Sequence, residues 1–318
     1  GNDSPTEKIS QLIDTIINPF VTTLKSHVKD STHFINLLSE IGTLPTGSLL
    51  VTLDVVSLYT NIPHYEGRRA VASYLATHRP PDHMPSNEAI IKMLQYVLEK
   101  NCFEFDGKFY LQIKGTAMGT RVAPAYANLF LGNFEDKHVY TYHTQPLIWL
   151  RYIDDCFSIW VGTRAELDLF INHLNSRHES IQFTANVSDQ ELPFLDVLVK
   201  IVGNKLVTSL YTKPTDSHNY LRYDSAHAPH VCESIPYSQF LRIHRICSNW
   251  DDALSHCINI SRFFIHQGYP ITLLLSSLTQ ALSKDRQSIL QYAAEKEPDT
   301  KKDQNKFFFI TTFNQTNP

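Results

Sequence analysis

Asp154 and Asp155 stand side by side in Tyr152-Ile153-Asp154-Asp155, between the apolar runs 147–150 and 156–161. Ile148, Trp149 and Leu150 before them, with Phe157, Ile159 and Trp160 after them, have the composition of two strands buried on at least one face. The pair therefore occupies the tip of a β-hairpin, at the edge of an apolar sheet, where negative charges are costly unless a cation meets them. A third carboxylate, Asp54, lies in Leu49-Leu50-Val51-Thr52-Leu53-Asp54-Val55-Val56-Ser57-Leu58-Tyr59, an apolar run of strand length bounded by Gly47 on one side and Asn61 and Pro63 on the other. Hard oxygen ligands on neighbouring strands suit Mg²⁺, and a two-metal centre for phosphoryl transfer holds its ions about 3.5–4 Å apart. An Asp pair at a hairpin tip is also ordinary turn chemistry. Taken alone, the pair leaves both readings open.

The intervening segment weighs on the choice. Gly115-Thr116-Ala117-Met118-Gly119-Thr120-Arg121-Val122-Ala123-Pro124-Ala125-Tyr126-Ala127-Asn128 places two glycines, a cation and a proline ahead of an apolar helical pattern through Leu129 and Phe130. Glycines there let backbone approach a nucleotide closely, and the helix start behind them is expected to offer N–H groups to anions. A glycine loop by itself is weak evidence. The order is specific: apolar strand with Asp, glycine loop into helix, hairpin with paired Asp.

That order resembles reverse transcriptases, and the wording is nearest to the Penelope-like retroelements, relatives of telomerase reverse transcriptase. The resemblance is carried by Leu53-Asp54-Val55-Val56-Ser57-Leu58-Tyr59-Thr60-Asn61-Ile62-Pro63, by the stretch 115–128, and by Arg151 through Asp155. Leu192-Pro193-Phe194-Leu195-Asp196 and the stretch 211–221 are also similar, so the likeness spans roughly residues 1–315. It implies that Asp54, Asp154 and Asp155, with the backbone carbonyl of Val55, hold two Mg²⁺ ions, for which Mn²⁺ can substitute. It implies that Tyr59 stands against the sugar 2′ position of the incoming nucleotide, where a ring excludes a 2′-OH; the plain alternative is an ordinary strand aromatic. Met118 and Gly119 match the loop under nucleotide and template, with Met118 where many relatives carry glutamine, so apolar packing replaces a hydrogen bond. Lys114, Arg121, Tyr152 and Lys213 fall at primer- and template-binding positions. The implied partners are an RNA template, a DNA primer and dNTP. Nuclear residence follows from the resemblance only, because Arg68-Arg69 and Lys301-Lys302 are too small to form a localisation signal.

The elements that must hold these residues can be read in outline. Helical patterns cover 9–28, with Pro19 a kink or break, and 32–41, then 66–77 and 86–100, with Pro80, Pro81 and Pro85 between the last two. Asp106-Gly107 marks a hairpin over 103–111, and Gly203-Asn204 another joining 194–200 to 205–211. A helix is expected over 163–176. Beyond Pro236 three helices follow, 237–248, 251–267 and 271–283, the last two split by Gly268-Tyr269-Pro270. They suit a reverse-transcriptase thumb or a helix-turn-helix module, and only the attached palm motifs favour the thumb. The expected fold class is α+β: an antiparallel palm sheet with packed helices, then an all-helical thumb, with the fingers largely missing. The expected division is a helical lead-in over 1–43, a palm over 44–213, a thumb or helix-turn-helix-like region over 214–296, and a tail over 297–318 containing Phe307-Phe308-Phe309-Ile310, which calls for a cover.

The 318 residues carry a formal charge of −4, poor for a nucleic-acid binder by total alone. Over 197–249, however, six Lys or Arg face three acids, a local balance of +3, interleaved with Tyr211, Tyr220, Tyr223 and Tyr237 in a mix suited to phosphates and stacking. A solvated mixed surface is the plain alternative. Five cysteines without a CxxC pair read as a reducing compartment. His227, His230, Cys232, His244, Cys247, His256 and Cys257 raise a zinc site, but their spacings match no common finger and Cys247 falls in a helical pattern, which disfavours it. No apolar stretch reaches membrane-spanning length. Only 53 residues precede Asp54 and they lack basic fingers strands, so the chain reads as a fragment, without the endonuclease module of many such elements. The expected function is an RNA-directed DNA polymerase core; the alternatives are an inactive fragment or co-opted nucleic-acid-binding scaffold, and a helix-turn-helix DNA-binding protein. Oligomeric state is not legible in the sequence.

Overall fold

Helix α1 (Glu7–Val21) forms because Ser10, Ile13, Ile17 and Val21 recur at three- and four-residue intervals and bury one face. It ends at Val21 instead of running to residue 28: Pro19 stands in its last turn, and Thr22 and Thr23 donate their hydroxyls to the Pro19 and Phe20 carbonyls, each at 2.8 Å. The computed structural model describes residues 4–291. They form two compact units, one running to Asp30 and over Thr43–Phe194, the other comprising Ser31–Gly42 and the residues from Leu195. Helix α2 (Ser31–Ser39) belongs to the second.

In the first unit the run around Asp54 becomes strand β1 (Ser48–Val55), which stops short of Tyr59. Ser57 adopts a left-handed φ of 50° and starts a single turn of helix, α3 (Leu58–Asn61), so the strand expected to reach Tyr59 is corrected at its end. Helices α4 (His64–His78) and α5 (Asn87–Glu99) follow, the second capped by the Ser86 hydroxyl. Strands β2 (Cys102–Phe105) and β3 (Lys108–Leu111) pair around Asp106 and Gly107, both with positive φ, as Asp-Gly predicts. Then come α6 (Ala123–His138), β4 (Ile148–Tyr152), β5 (Asp155–Val161), α7 (Arg164–Ser176) with a Thr163/Glu166 capping box, β6 (Phe183–Ser188) and β7 (Glu191–Phe194).

Strands β4, β5, β1 and β6 make an antiparallel sheet in that order, with β1 central. Alternation decides which side chains face the helices. Val51, Leu53 and Val55 of β1 join Cys156 and Trp160 of β5 in one core with Ile13 and Ile17 of α1 and Tyr126 and Leu129 of α6. Asp54, between two of those inward residues, is thrown to the other face and is exposed.

The second unit holds a hairpin of β8 (Val197–Val202) and β9 (Lys205–Leu210), turned by Gly203 and Asn204, both left-handed. Four helices follow: α8 (Pro229–Ile246), α9 (Trp250–His266), α10 (Ile271–Leu282) and α11 (Arg286–Leu290). Their core is built on Phe240, Ile243, Cys257, Phe264, Leu274 and Ala281. Helix α8 begins eight residues before the expected start at 237 and runs through Pro236. Proline there removes a backbone hydrogen bond, a cost of about 3 kcal/mol. Burial of Cys232, Pro236, Phe240 and Ile243 along one stripe outweighs it. Among the described residues no helix is long and apolar enough to cross a membrane. The Phe307-Phe308-Phe309-Ile310 cluster lies outside the described residues.

Candidate metal and nucleotide site

A two-residue loop, Ile153-Asp154, closes the β4–β5 hairpin between paired Tyr152 and Asp155. Ile153 has a φ of 58°, a left-handed conformation that a β-branched residue adopts only where its surroundings enforce it. Two contacts do so. Its side chain packs against the main core, and its carbonyl accepts a 2.9 Å hydrogen bond from Arg151 Nη1. Arg151 is 2% exposed and is held in turn by Glu135, with Nε to Oε1 at 2.6 Å and Nη2 to Oε2 at 3.2 Å, and by Asn128 Oδ1 at 2.7 Å. Glu135 also accepts from the Trp149 indole at 2.9 Å and the Ser26 hydroxyl at 2.6 Å. Every lone pair of that carboxylate faces a donor, the condition under which a buried ion pair is tolerated. The guanidinium thus fixes the tip of the hairpin from behind.

On the solvent side the carboxylates assemble. Asp54 and Asp155 are directly opposed across β1 and β5, which puts their side chains on the same face of the sheet. Asp154 is in the adjoining turn, its carbonyl accepting from the Val55 N–H at 3.3 Å. Partial burial, and then the charge of Asp154, raise the Asp54 carboxyl above its ordinary range. Neither Asp54 nor Asp154 has an ion-pair partner among the described residues. Hard oxygen donors of like charge, brought together at one sheet edge, are a donor set that fits Mg²⁺. Among the described residues the oxygens of these three carboxylates do not all lie within 4.8 Å of one another.

Tyr59, on α3 rather than on a strand, has its phenol raised by burial, then by the charges of Asp154 and Tyr152, so the hydroxyl lies within electrostatic reach of the turn. The glycine loop packs on the same single-turn helix. Gly115 N donates to the Ile62 carbonyl at 3.0 Å and Thr116 N to the Tyr59 carbonyl at 2.7 Å. A Cβ on Gly115 would stand 2.4 Å from the Tyr59 carbonyl, and its φ is 74°, so this glycine serves close approach within the fold. Gly119, with φ of 87°, faces open space, and Met118 beside it is 75% exposed. Lys114 reaches Asn61 Oδ1 at 3.5 Å, and Arg121 lies 4.0 Å from Glu7.

One expectation for this loop is corrected. The start of α6 is not an open anion site: Val122 N donates to Ser10 Oγ at 3.0 Å, Ala123 N donates to the Thr120 carbonyl at 3.0 Å, and Pro124 has no N–H. Lys213 belongs to the second unit, where it lines a cavity of about 580 Å³ with Asp196, Arg242, His218 and Phe263. Sequence reading passed over Arg151 and Glu135 as a support. Their signal was present: an arginine ending an apolar strand and a glutamate inside an apolar helix are buried charges that require each other.

Three solved structures share the fold over most of this chain. Telomerase from Candida albicans, in complex with a fragment of telomeric RNA, aligns with a TM-score of 0.57 at 10% identity, over 86% of this chain and 47% of that one. The RNA-dependent RNA polymerase of a human picobirnavirus aligns at 0.53 and 15% identity, over 88% and 57%. Apo telomerase from Candida tropicalis aligns at 0.51 and 12%, over 90% and 52%. The chain has a polymerase-like fold. It spans about half the length of these structures. A family model described as the animal helix-turn-helix domain matches residues 219–279, the stretch of α8, α9 and most of α10. No curated protein matches the chain.

Proposed function

We propose that this chain is the palm and thumb of an RNA-directed DNA polymerase of the Penelope-like kind, transferring nucleotides from dNTP to a primer 3′-OH on an RNA template. The observation that carries the reading is the opposition of Asp54 and Asp155 across β1 and β5, with Asp154 in the adjoining turn, in a polymerase-like scaffold. Asp54, Asp154 and Asp155, with the Val55 carbonyl, would hold the ions. Bound Mg²⁺ supplies activation of the primer hydroxyl and stabilisation of charge on the departing pyrophosphate. The protein's own share is position. Arg151 fixes the turn that presents Asp154, Gly115 fixes the loop against α3, and Tyr59 on α3, within electrostatic reach of Asp154, would exclude a ribose 2′-OH. Met118 offers an apolar surface to a base, and Lys114, Arg121, Tyr152 and Lys213 grip primer and template.

Primer extension on an RNA template tests it: Asp154→Asn with Asp155→Asn is expected to lower the rate at least about 10³-fold with an unchanged circular dichroism spectrum. Extension at the parental rate would remove these carboxylates from the chemistry. A second reading is favoured by the match over 219–279: a nucleic-acid-binding scaffold without turnover. That protein would bind primer-template with steep salt dependence and never add a nucleotide, in any divalent metal.

A further inference from the structure

Cys247, Asp252 and His256 lie far from the dicarboxylate turn in sequence and have no part in the reaction above. In the second unit their ligand atoms all lie within 4.8 Å of one another. Cys247 caps the C-terminal end of α8 in extended conformation, so the helical placement expected for it is corrected at its last residues, and its thiol points inward with the residue 1% exposed. Asp252 and His256 follow in the first turns of α9 at i and i+4, a spacing that puts two ligands on one helix face. Asp252 Oδ1 and His256 Nε2 are already 3.5 Å apart, the separation that two ligands of a tetrahedral Zn²⁺ have at roughly 3.5 Å. The Ser209 hydroxyl of β9, 3.2 Å from the same Nε2, offers a fourth donor atom.

The frame around these atoms is rigid. Asn249 Oδ1 caps α9 through the N–H groups of Asp251 and Asp252, and Ser248 and Thr208 exchange hydrogen bonds that clamp the α8–α9 turn to β9. His256, alone of the three, also lines the 580 Å³ cavity.

We propose that Cys247, Asp252 and His256 form a site for a zinc-class transition-metal ion that ties the α8–α9 turn to β9. Thiolate and imidazole select such an ion over Mg²⁺, and three protein ligands leave a coordination position for Ser209 or water. A thiolate and a carboxylate together balance a dication. Arg286, the cation facing Cys247, opposes the ion with a single charge.

The test uses the whole chain, stripped with a chelator and titrated with Co²⁺ and then Zn²⁺, read by absorption and by thermal unfolding. Expected are a saturable thiolate-to-cobalt charge-transfer band with tetrahedral visible absorption, its loss on adding Zn²⁺, and a Zn²⁺-dependent rise in Tm. Cys247→Ser should abolish the charge-transfer band, Asp252→Asn and His256→Gln should weaken Co²⁺ at least tenfold, and Cys232→Ser should change nothing. No thiolate band in the parent, or the same band in Cys247→Ser, overturns the proposal. If Cys247→Ser does not fold, the part-exposed His256→Gln decides it, since unaltered Co²⁺ affinity there is equally fatal. None of these readouts depends on polymerase activity.

Discussion

Partial burial and the Asp154 charge make the ionised form of Asp54 unfavourable in the folded chain. A raised folded-state pKa means a destabilisation absent below the unfolded value and growing as pH rises through the folded one. Asp54→Asn is therefore expected to raise the Tm of the metal-free chain at about pH 7 and to leave it unchanged below about pH 3.9, the ordinary aspartate value. The same substitution is expected to suppress primer extension, so stability and activity move in opposite directions. A Tm at pH 7 that is lower in the variant, measured in a chelator, would show that Asp54 is stabilised rather than strained where it stands. The trade is the one expected of a site arranged for a cation.

The hairpin of β4 and β5 makes a separate claim, because its tip is held by a buried ion pair. Arg151→Met strands the buried Glu135 with only the Trp149 indole and the Ser26 hydroxyl as donors and is expected to cost about 3–5 kcal/mol in denaturant unfolding. Joining Glu135→Leu to it removes the stranded charge and is expected to restore most of that stability. Activity should stay low in the double variant, since the carbonyl of Ile153 has still lost its anchor. Recovery of both together would reduce Arg151 to a packing residue. The α4–α6 contact is a second element-scale case: a Cβ on Gly67 meets the Tyr126 hydroxyl at 2.0 Å. Gly67→Ala is expected to destabilise by about 1–3 kcal/mol, through overpacking of a fully buried ring. An equal or higher denaturant midpoint would mean that the two helices separate without penalty.

For the whole molecule, charge distribution outweighs charge total. On the proposed reading, a chain at −4 would bind nucleic acid through a local cation surplus; the formal balance over 197–249 is +3, with Arg242 paired to Asp196 and Arg222 to Asp224. Affinity for an RNA–DNA primer-template is expected to fall log-linearly with salt, with a slope set by the few phosphates engaged. Filter binding between about 50 and 200 mM salt reads it, and a flat profile would exclude phosphate contact as the basis of binding. The five cysteines are all free thiols in the described structure, so reducing agent has no crosslink to break.

Legibility followed the range of the interactions. The hairpin turns at Asp106-Gly107 and Gly203-Asn204, the helix expected over 163–176 and the paired aspartates between apolar strands were readable because each is decided within a few residues of chain. Element ends were not. The turn at Ser57 that puts Tyr59 on α3, the threonine cap that stops α1 and the passage of α8 through Pro236 each depend on partners or burial that local pattern does not encode. By itself the sequence determined the order of strand, loop, helix and hairpin and the chemical character of the carboxylates they carry. Tertiary structure alone decided that Asp54 faces Asp155, that Arg151 and Glu135 brace the turn over a separation of sixteen residues, and that Cys247, Asp252 and His256 converge. Register, burial and the meeting of distant side chains are properties of the packed chain, and no window of neighbouring residues contains them.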